Sequence, residues 1–242
     1  MKFLCLTALA LTSGALTLTA AAQTVQVNKE NRTIAITATD KVVIMADTAS
    51  VHIGFIAYGP DNDSAYAAGS RLSNAIVKAV TLAGVPGDAI ESENQNVSPV
   101  QDYQNNNLAP AEKAQRKFQV TQSWTVRVNA ADAARTLDLA VKAGANQSGQ
   151  IDWSLKDENA PQAEAAAKAL QRARTVAGQM AAGMNVKLGA LIYASNEVQA
   201  EPPRPLMRMM MSNAAPPPSP PLAISPRRIE KIATVYAIFA IE

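Results

Sequence analysis

One cysteine and one histidine are all that this chain of 242 residues holds of the two side chains most used for metal binding and nucleophilic chemistry. Cys5 and His52 cannot supply the paired thiolates and imidazoles of the usual zinc and copper sites, and a lone thiol builds no disulfide framework. Aromatic residues make up only 5% of the chain, and neither sign of charge dominates, with 22 Lys and Arg against 20 Asp and Glu. No basic run exceeds Arg227 and Arg228, so the phosphate-neutralising surface of a nucleic-acid binder is absent and no nucleic-acid partner is expected. After the first residues no apolar run is long enough to span a bilayer, which excludes a polytopic membrane protein. A hydrophobic content of 48% excludes a disordered tail. Neither G-x-S-x-G nor H-E-x-x-H occurs.

What is present begins with an address. Lys2 precedes an apolar run from Phe3 to Thr19 that closes on Ala20, Ala21 and Ala22 before Gln23. This is the pattern of a secretory signal peptide over residues 1–22, and its small-residue end and polar sequel favour cleavage over a retained anchor. Cys5 leaves with that segment and lies too early in the run to become a lipidated N-terminus. Loss of Lys2 takes the formal charge from +2 to +1, and the mature chain, free of cysteine, depends on core packing for stability. Residues 23–32 read as a linker and 33–242 as one domain.

Within that domain, period-two alternation predicts strands at Thr33–Thr39 and at Val51–Ala57, the latter with Val51, Ile53, Phe55 and Ala57 on one face and Ser50, His52 and Tyr58 on the other. Asp61, Asn62, Asp63 and Ser64 offer N-caps for a helix carrying Leu72, Ala75, Ile76, Ala79, Val80 and Ala83, ended by Gly84. From Glu91 to Lys117 the chain is polar and reads as an extended arm or a long hairpin. A strand over Phe118–Val128, a helix over Ala131–Ala143 capped by Gly144, and a short strand through Ile151, Trp153 and Leu155 follow. The longest helix begins after Asn159 and Pro161, with Ala166, Ala169, Leu170, Ala173, Val176, Ala177, Met180, Ala181 and Met184 assigned to its buried stripe. A strand at Ala190–Val198 leads to a loop, 202–221, too rich in proline for a regular element. The final stretch, Ile229–Ile241, is apolar on both faces and therefore central in a sheet or covered by another subunit. Strands neighbour strands as often as helices, which predicts an α+β fold of antiparallel sheets with three helices.

In order and spacing these elements resemble the SIMPL-domain family, which includes exported 28 kDa-type immunogenic proteins of Gram-negative bacteria. The likeness runs over nearly the whole mature chain. It rests on Thr33–Thr39, on Asp47, Thr48 and Ala49 before the Val51–Phe55 strand, and on the helix running into Gly84 and Val85. Asp88, Ile90 and the Val97–Tyr103 arm continue it, as do Trp124–Val128, Gly144, Ala145, the alanine-spaced third helix before Leu188 and Gly189, the Pro/Met/Arg loop and the last apolar strand. Two departures are Lys117 and Phe118 where the family commonly has Gly-Tyr, and Leu222–Arg228 without a glycine often found there. The resemblance implies a periplasmic location with an extension to outer-membrane association, self-assembly, and a link to stress tolerance. It implies no active site.

No catalytic, cofactor-binding or metal-ligating residue is accordingly assigned, and no cofactor is expected. His52 reads as a solvated or hydrogen-bonded surface residue. Glu91, Glu93, Asp152, Asp157 and Glu158 read as charges on exposed faces unless they converge, which the linear order does not test. Gly144–Gly149 lacks the Lys and Ser or Thr of a phosphate loop. Asp47 reads as a turn or strand-edge residue, and Trp124 and Trp153 as core. Met207, Met209, Met210 and Met211, beside Arg204 and Arg208, read as adaptable packing rather than a Cu(I) site. The expected function is that of a non-enzymatic homo-oligomeric scaffold associated with the envelope. The alternative is a protein that binds a ligand or soft metal, or a hydrolase with a carboxylate site.

Overall fold

A computed structural model describes residues 32–101, 106–197 and 222–242. The expected signal peptide with Cys5, residues 23–31 of the expected linker and the segment 202–221 with its four methionines lie outside them. The strands are β1 (Thr33–Met45), β2 (Thr48–Gly59), β3 (Ile90–Pro99), β4 (Phe118–Asn129), β5 (Ile151–Ser154), β6 (Leu188–Glu197) and β7 (Arg228–Ile241), and the helices are α1 (Asn62–Leu82), α2 (Pro110–Gln115), α3 (Ala133–Lys142) and α4 (Asn159–Gly183). Every strand pairing is antiparallel, in two sheets ordered β3-β4-β2-β5 and β1-β7-β6. This is the α+β class read from the element order, with α2 as an addition. Six residues are too few for a helical period to show, and α2 rests on Pro110 in its first turn and a Glu112–Arg116 ion pair of 2.8 Å.

Alternation gives β2 one buried face, and pairing with β4 on one side and β5 on the other places it inside the larger sheet. Val51, Ile53 and Phe55 are at most 2% exposed and meet Trp124 and Val126 of β4, with the Phe55 and Trp124 rings 5.9 Å apart. Helices α1 and α3 close this core. Asp61 caps α1, its carboxylate accepting the Ser64 N–H at 2.7 Å and the Ser64 hydroxyl at 2.9 Å. These bonds hold the Asp61 carboxyl below its usual range. Gly84 and Gly144 end α1 and α3 at φ of +97° and +113°, a region that glycine enters without steric cost.

The segment after Gly144 is no phosphate cradle. The Asn146 side chain accepts the Ile56 N–H at 2.8 Å and donates to the Ile56 carbonyl at 3.0 Å, and the Gln147 N–H donates to Gly54. These groups extend the pairing along β2 beyond the end of β5. Trp153 lies partly buried at the edge of the core rather than within it.

The smaller sheet is covered on one face by α4. Ala165, Ala169, Ala173, Ala177 and Ala181 are each at most 1% exposed. A strict four-residue spacing slopes around a helix, and the row stays buried because it crosses the sheet. Ala165 meets Val42 and Ala233 at one end, while the other four pack among Ile34, Ile36, Val235 and Phe239. Here the structure corrects the expected stripe, since Val176, Met180 and Met184 are exposed. The small methyl groups set the helix close to the strands, so the longer side chains two or three places away fall outside the contact.

β1 continues to Met45, past the Asp40 and Lys41 that hide its alternation, because β7 pairs with it throughout and Lys41 bonds Glu230 at 3.0 Å. Between the sheets, Asp47 is a junction rather than only a strand edge. Its carbonyl accepts the Ala130 N–H and its carboxylate the Lys156 N–H, both at 2.8 Å.

Candidate functional site

The polar face of the larger sheet carries the chain's densest group of chemistry-bearing side chains. Parity puts His52 on the face of β2 opposite Phe55, and register sets it across from Thr125 of β4. Short β5 brings Asp152 alongside, opposite Ser50. On β3 the pairing slips between Ser92 and Asn94, and the extra residue of that bulge is Glu93, turned toward His52 as bulges re-aim side chains. Imidazole Nδ1 lies 2.9 Å from Glu93 Oε1, and Nε2 lies 2.9 Å from Asp152 Oδ2. The Thr125 hydroxyl donates to the same Glu93 oxygen and lies 3.2 Å from Nδ1. Gln150 donates to Asp152 at 3.3 Å. The Thr125 hydrogen bond, followed by the charge and hydrogen bond of His52, holds the Glu93 carboxyl below its usual range against the opposing effect of burial.

A row of side chains thus runs across all four strands. With a carboxylate at each ring nitrogen, His52 turns no free lone pair outward for a metal, and among the described residues no cluster of three or more His, Cys, Asp or Glu could hold one. Thr125, His52 and Asp152 have the residue types of a nucleophile, base and orienting acid. They nevertheless stand on the polar face of the sheet, outside the cleft beside Gly84 and Arg135 and outside the groove between α1 and β3. The arrangement is suited to fastening edge strands β3 and β5 to β4 and β2.

Of the carboxylates read as solvated charges, Glu93 and Asp152 converge and the rest do not. Glu91 sits 3.5 Å from Arg127, Asp157 accepts the Asn159 and Ala160 N–H groups at the start of α4, and Glu158 pairs with Lys231. The outward parity of His52 was readable from alternation. The bulge that aims Glu93 and the register that delivers Asp152 left no local signal.

A second feature is the face of the β1-β7-β6 sheet turned away from α4. Ile238 of β7 lies between Ala35 of β1 and Tyr193 of β6, and Tyr236 lies between Thr37 and Ser195. The Tyr193 and Tyr236 rings meet edge to face at 6.3 Å. Val43, Tyr193 and Ile232 are 50%, 40% and 39% exposed. β7 is therefore the central strand its two apolar faces predicted, with one face under α4 and the other covered by no helix among the described residues.

The polar stretch 91–117 is a hairpin rather than a free arm, since β3 pairs with β4 from Ile90 to Pro99. Its return folds on the chain itself, with the Arg116 guanidinium 4.9 Å over the Tyr58 ring. No helix among the described residues is long and apolar enough to cross a membrane.

Comparison with known proteins gives concordant matches. The family model SIMPL, described as a protein of unknown function (DUF541), matches residues 34–239. The 26 kDa periplasmic immunogenic protein of Brucella melitensis biotype 1 is 26% identical over 214 residues, covering 87% of this chain and 86% of that protein. The uncharacterized protein YggE of Escherichia coli strain K12 is 30% identical over 128 residues, covering 52% of this chain and 50% of that protein.

Proposed function

The chain belongs to the SIMPL family, and on that premise we propose that it is an exported, non-enzymatic periplasmic protein that works as a homo-oligomeric scaffold at the cell envelope. The observation that carries this reading is the face of the β1-β7-β6 sheet that no helix covers among the described residues. Ile232, Tyr236 and Ile238 lie on one side of a central strand whose other side is fully used by α4. Exposed apolar surface of this kind is costly in water and is relieved by a second copy. Export follows from the leader over residues 1–22, and the periplasmic location agrees with the name of the Brucella relative. Envelope association and a link to stress tolerance come with the family resemblance.

Light scattering on the exported protein tests the proposal. The expected mass is several times the 25.5 kDa of one whole chain, and Ile238→Lys should reduce it to a monomer with native circular dichroism. A wild-type monomer at micromolar concentration overturns the reading. Mass spectrometry of the same material should find a chain beginning near Gln23; an intact leader on a membrane-bound species would refute export by cleavage.

A further inference from the structure

On its helix-covered side, the larger sheet extends one strand beyond its cover. Helix α1 sits directly on β4 because residue 69 is glycine, where a Cβ would stand 2.8 Å from Val120 Cγ1. Past the Ile90 end of β3, which packs against the core, a groove of about 390 Å³ runs between α1 and β3. This volume falls in the range of small-molecule sites, roughly 300–1,000 Å³.

The lining has a single chemical character. Tyr66, Ser70 and Ser73 recur at helical spacing along one wall. The cross-strand pair Gln95 and Gln122, with the same parity as core residues Trp124 and Val126, supplies amides from the floor. Val97 and Val120, paired beside them, supply an apolar patch. Among the described residues no Asp, Glu, Lys, Arg or His lines the groove. Among the described residues, the Gln95 and Gln122 amides and the Ser73 hydroxyl have no protein hydrogen-bond partner. The other main cleft, of about 370 Å³, is the opposite case, with Arg127, Arg135, Lys156 and Asp132 in its lining.

We propose that the groove between α1 and β3 binds a neutral saccharide, with an N-acetylated sugar as the favoured form. Each primary amide offers two donors and an acceptor, and each hydroxyl offers both functions. That is what a ring of neighbouring hydroxyls requires, whereas a charged ligand would find no counter-charge. Tyr66, 63% exposed at the rim, presents an aromatic face for the apolar side of a sugar ring. The Val97–Val120 patch takes an acetyl methyl. A peptide is the weaker fit, because peptides usually add to a sheet through the free edge of a strand. This groove instead lies above the sheet and is walled by side chains.

The test is nuclear magnetic resonance titration of the full exported protein with N,N′-diacetylchitobiose, using maltose, tetra-alanine and citrate as comparators. Diacetylchitobiose is expected to bind with a dissociation constant of about 1 mM or tighter, more strongly than maltose. Shifts should be confined to α1 residues 66–73 and strand residues 95–97 and 120–122. Tyr66→Ala, a change at an exposed site, should weaken binding about tenfold, and Gln95→Ala with Gln122→Ala should remove it. Maltose equal to diacetylchitobiose would overturn the N-acetyl preference. Absence of binding by both sugars, shifts elsewhere, unchanged affinity in both variants, or tetra-alanine or citrate bound equally well in the groove would overturn the site. A monomer would still carry this groove, so failure of self-association and failure of sugar binding are separate results.

Discussion

The two sheets spend their side chains in opposite ways. The larger one buries big residues, Phe55, Trp124, Ile53 and Val126, under two helices, and its outward face is tied across all four strands by Glu93, Thr125, His52 and Asp152. The smaller one is held by a row of alanines from a single helix, and its outward face carries exposed Ile232 and half-buried Tyr236 and Ile238, with no helix over them among the described residues. A polar face that satisfies its own hydrogen bonds is complete in one chain. An apolar face is complete only when covered. On this contrast the proposed self-association would use the smaller sheet, while the larger sheet satisfies its own polar face.

The largest effect should come from emptying the larger core. Phe55→Ala removes a side chain 1% exposed and should cost about 3–5 kcal/mol in urea unfolding. A smaller loss would mean that α1 can collapse onto β2, so that the two cores do not differ as described. Next comes the reverse operation on the alanine row. Ala173→Leu forces volume into a site with 0% exposure and should cost about 1–3 kcal/mol by overpacking. If it stabilised the protein instead, the close seat of α4 would be slack rather than tight.

The ion row gives a smaller effect with a definite direction. The Glu93 carboxyl is held below the usual glutamate range, first by the Thr125 hydrogen bond and also by His52. Its contribution to folding is present above about pH 4.5 and is lost as pH falls through the lower folded value. Glu93→Gln should therefore flatten the acid limb of a stability-against-pH curve measured between about pH 5 and pH 2. An unchanged acid limb would detach Glu93 from the row. The smallest effect belongs to the corrected stripe of α4. Met180→Gln, at a position 47% exposed, should alter stability by no more than about 0.5 kcal/mol. A change several times larger in the assembled protein would show that this side of α4 is covered by another copy.

Much of the architecture was legible in local patterns. Alternation in Val51–Ala57 and Phe118–Val128 reports a buried face because the pleat gives side chains a period of two. Gly84 and Gly144 stop helices because positive φ is cheap for glycine. Two apolar faces on Ile229–Ile241 identify a central strand. The same reading missed α2, too short to show a period, and stopped β1 early at Asp40, where a long-range partner overrides local polarity.

Sequence by itself determined the order of the strands and longer helices, the inward and outward faces of β2 and β4, and the leader pattern of residues 1–22, since all of these depend on neighbours a few residues apart. The tertiary structure decided what residues from distant segments do together. Glu93, His52 and Asp152 meet because a bulge in β3 and the register of β5 bring 41- and 100-residue separations to 2.9 Å. The groove beside α1 is bounded by a helix that approaches β4 closely at Gly69 and by the residues of β3 around Gln95 and Val97. Such juxtapositions are set by packing and strand pairing between remote segments, whose free energies leave no mark on the periodicity of either one.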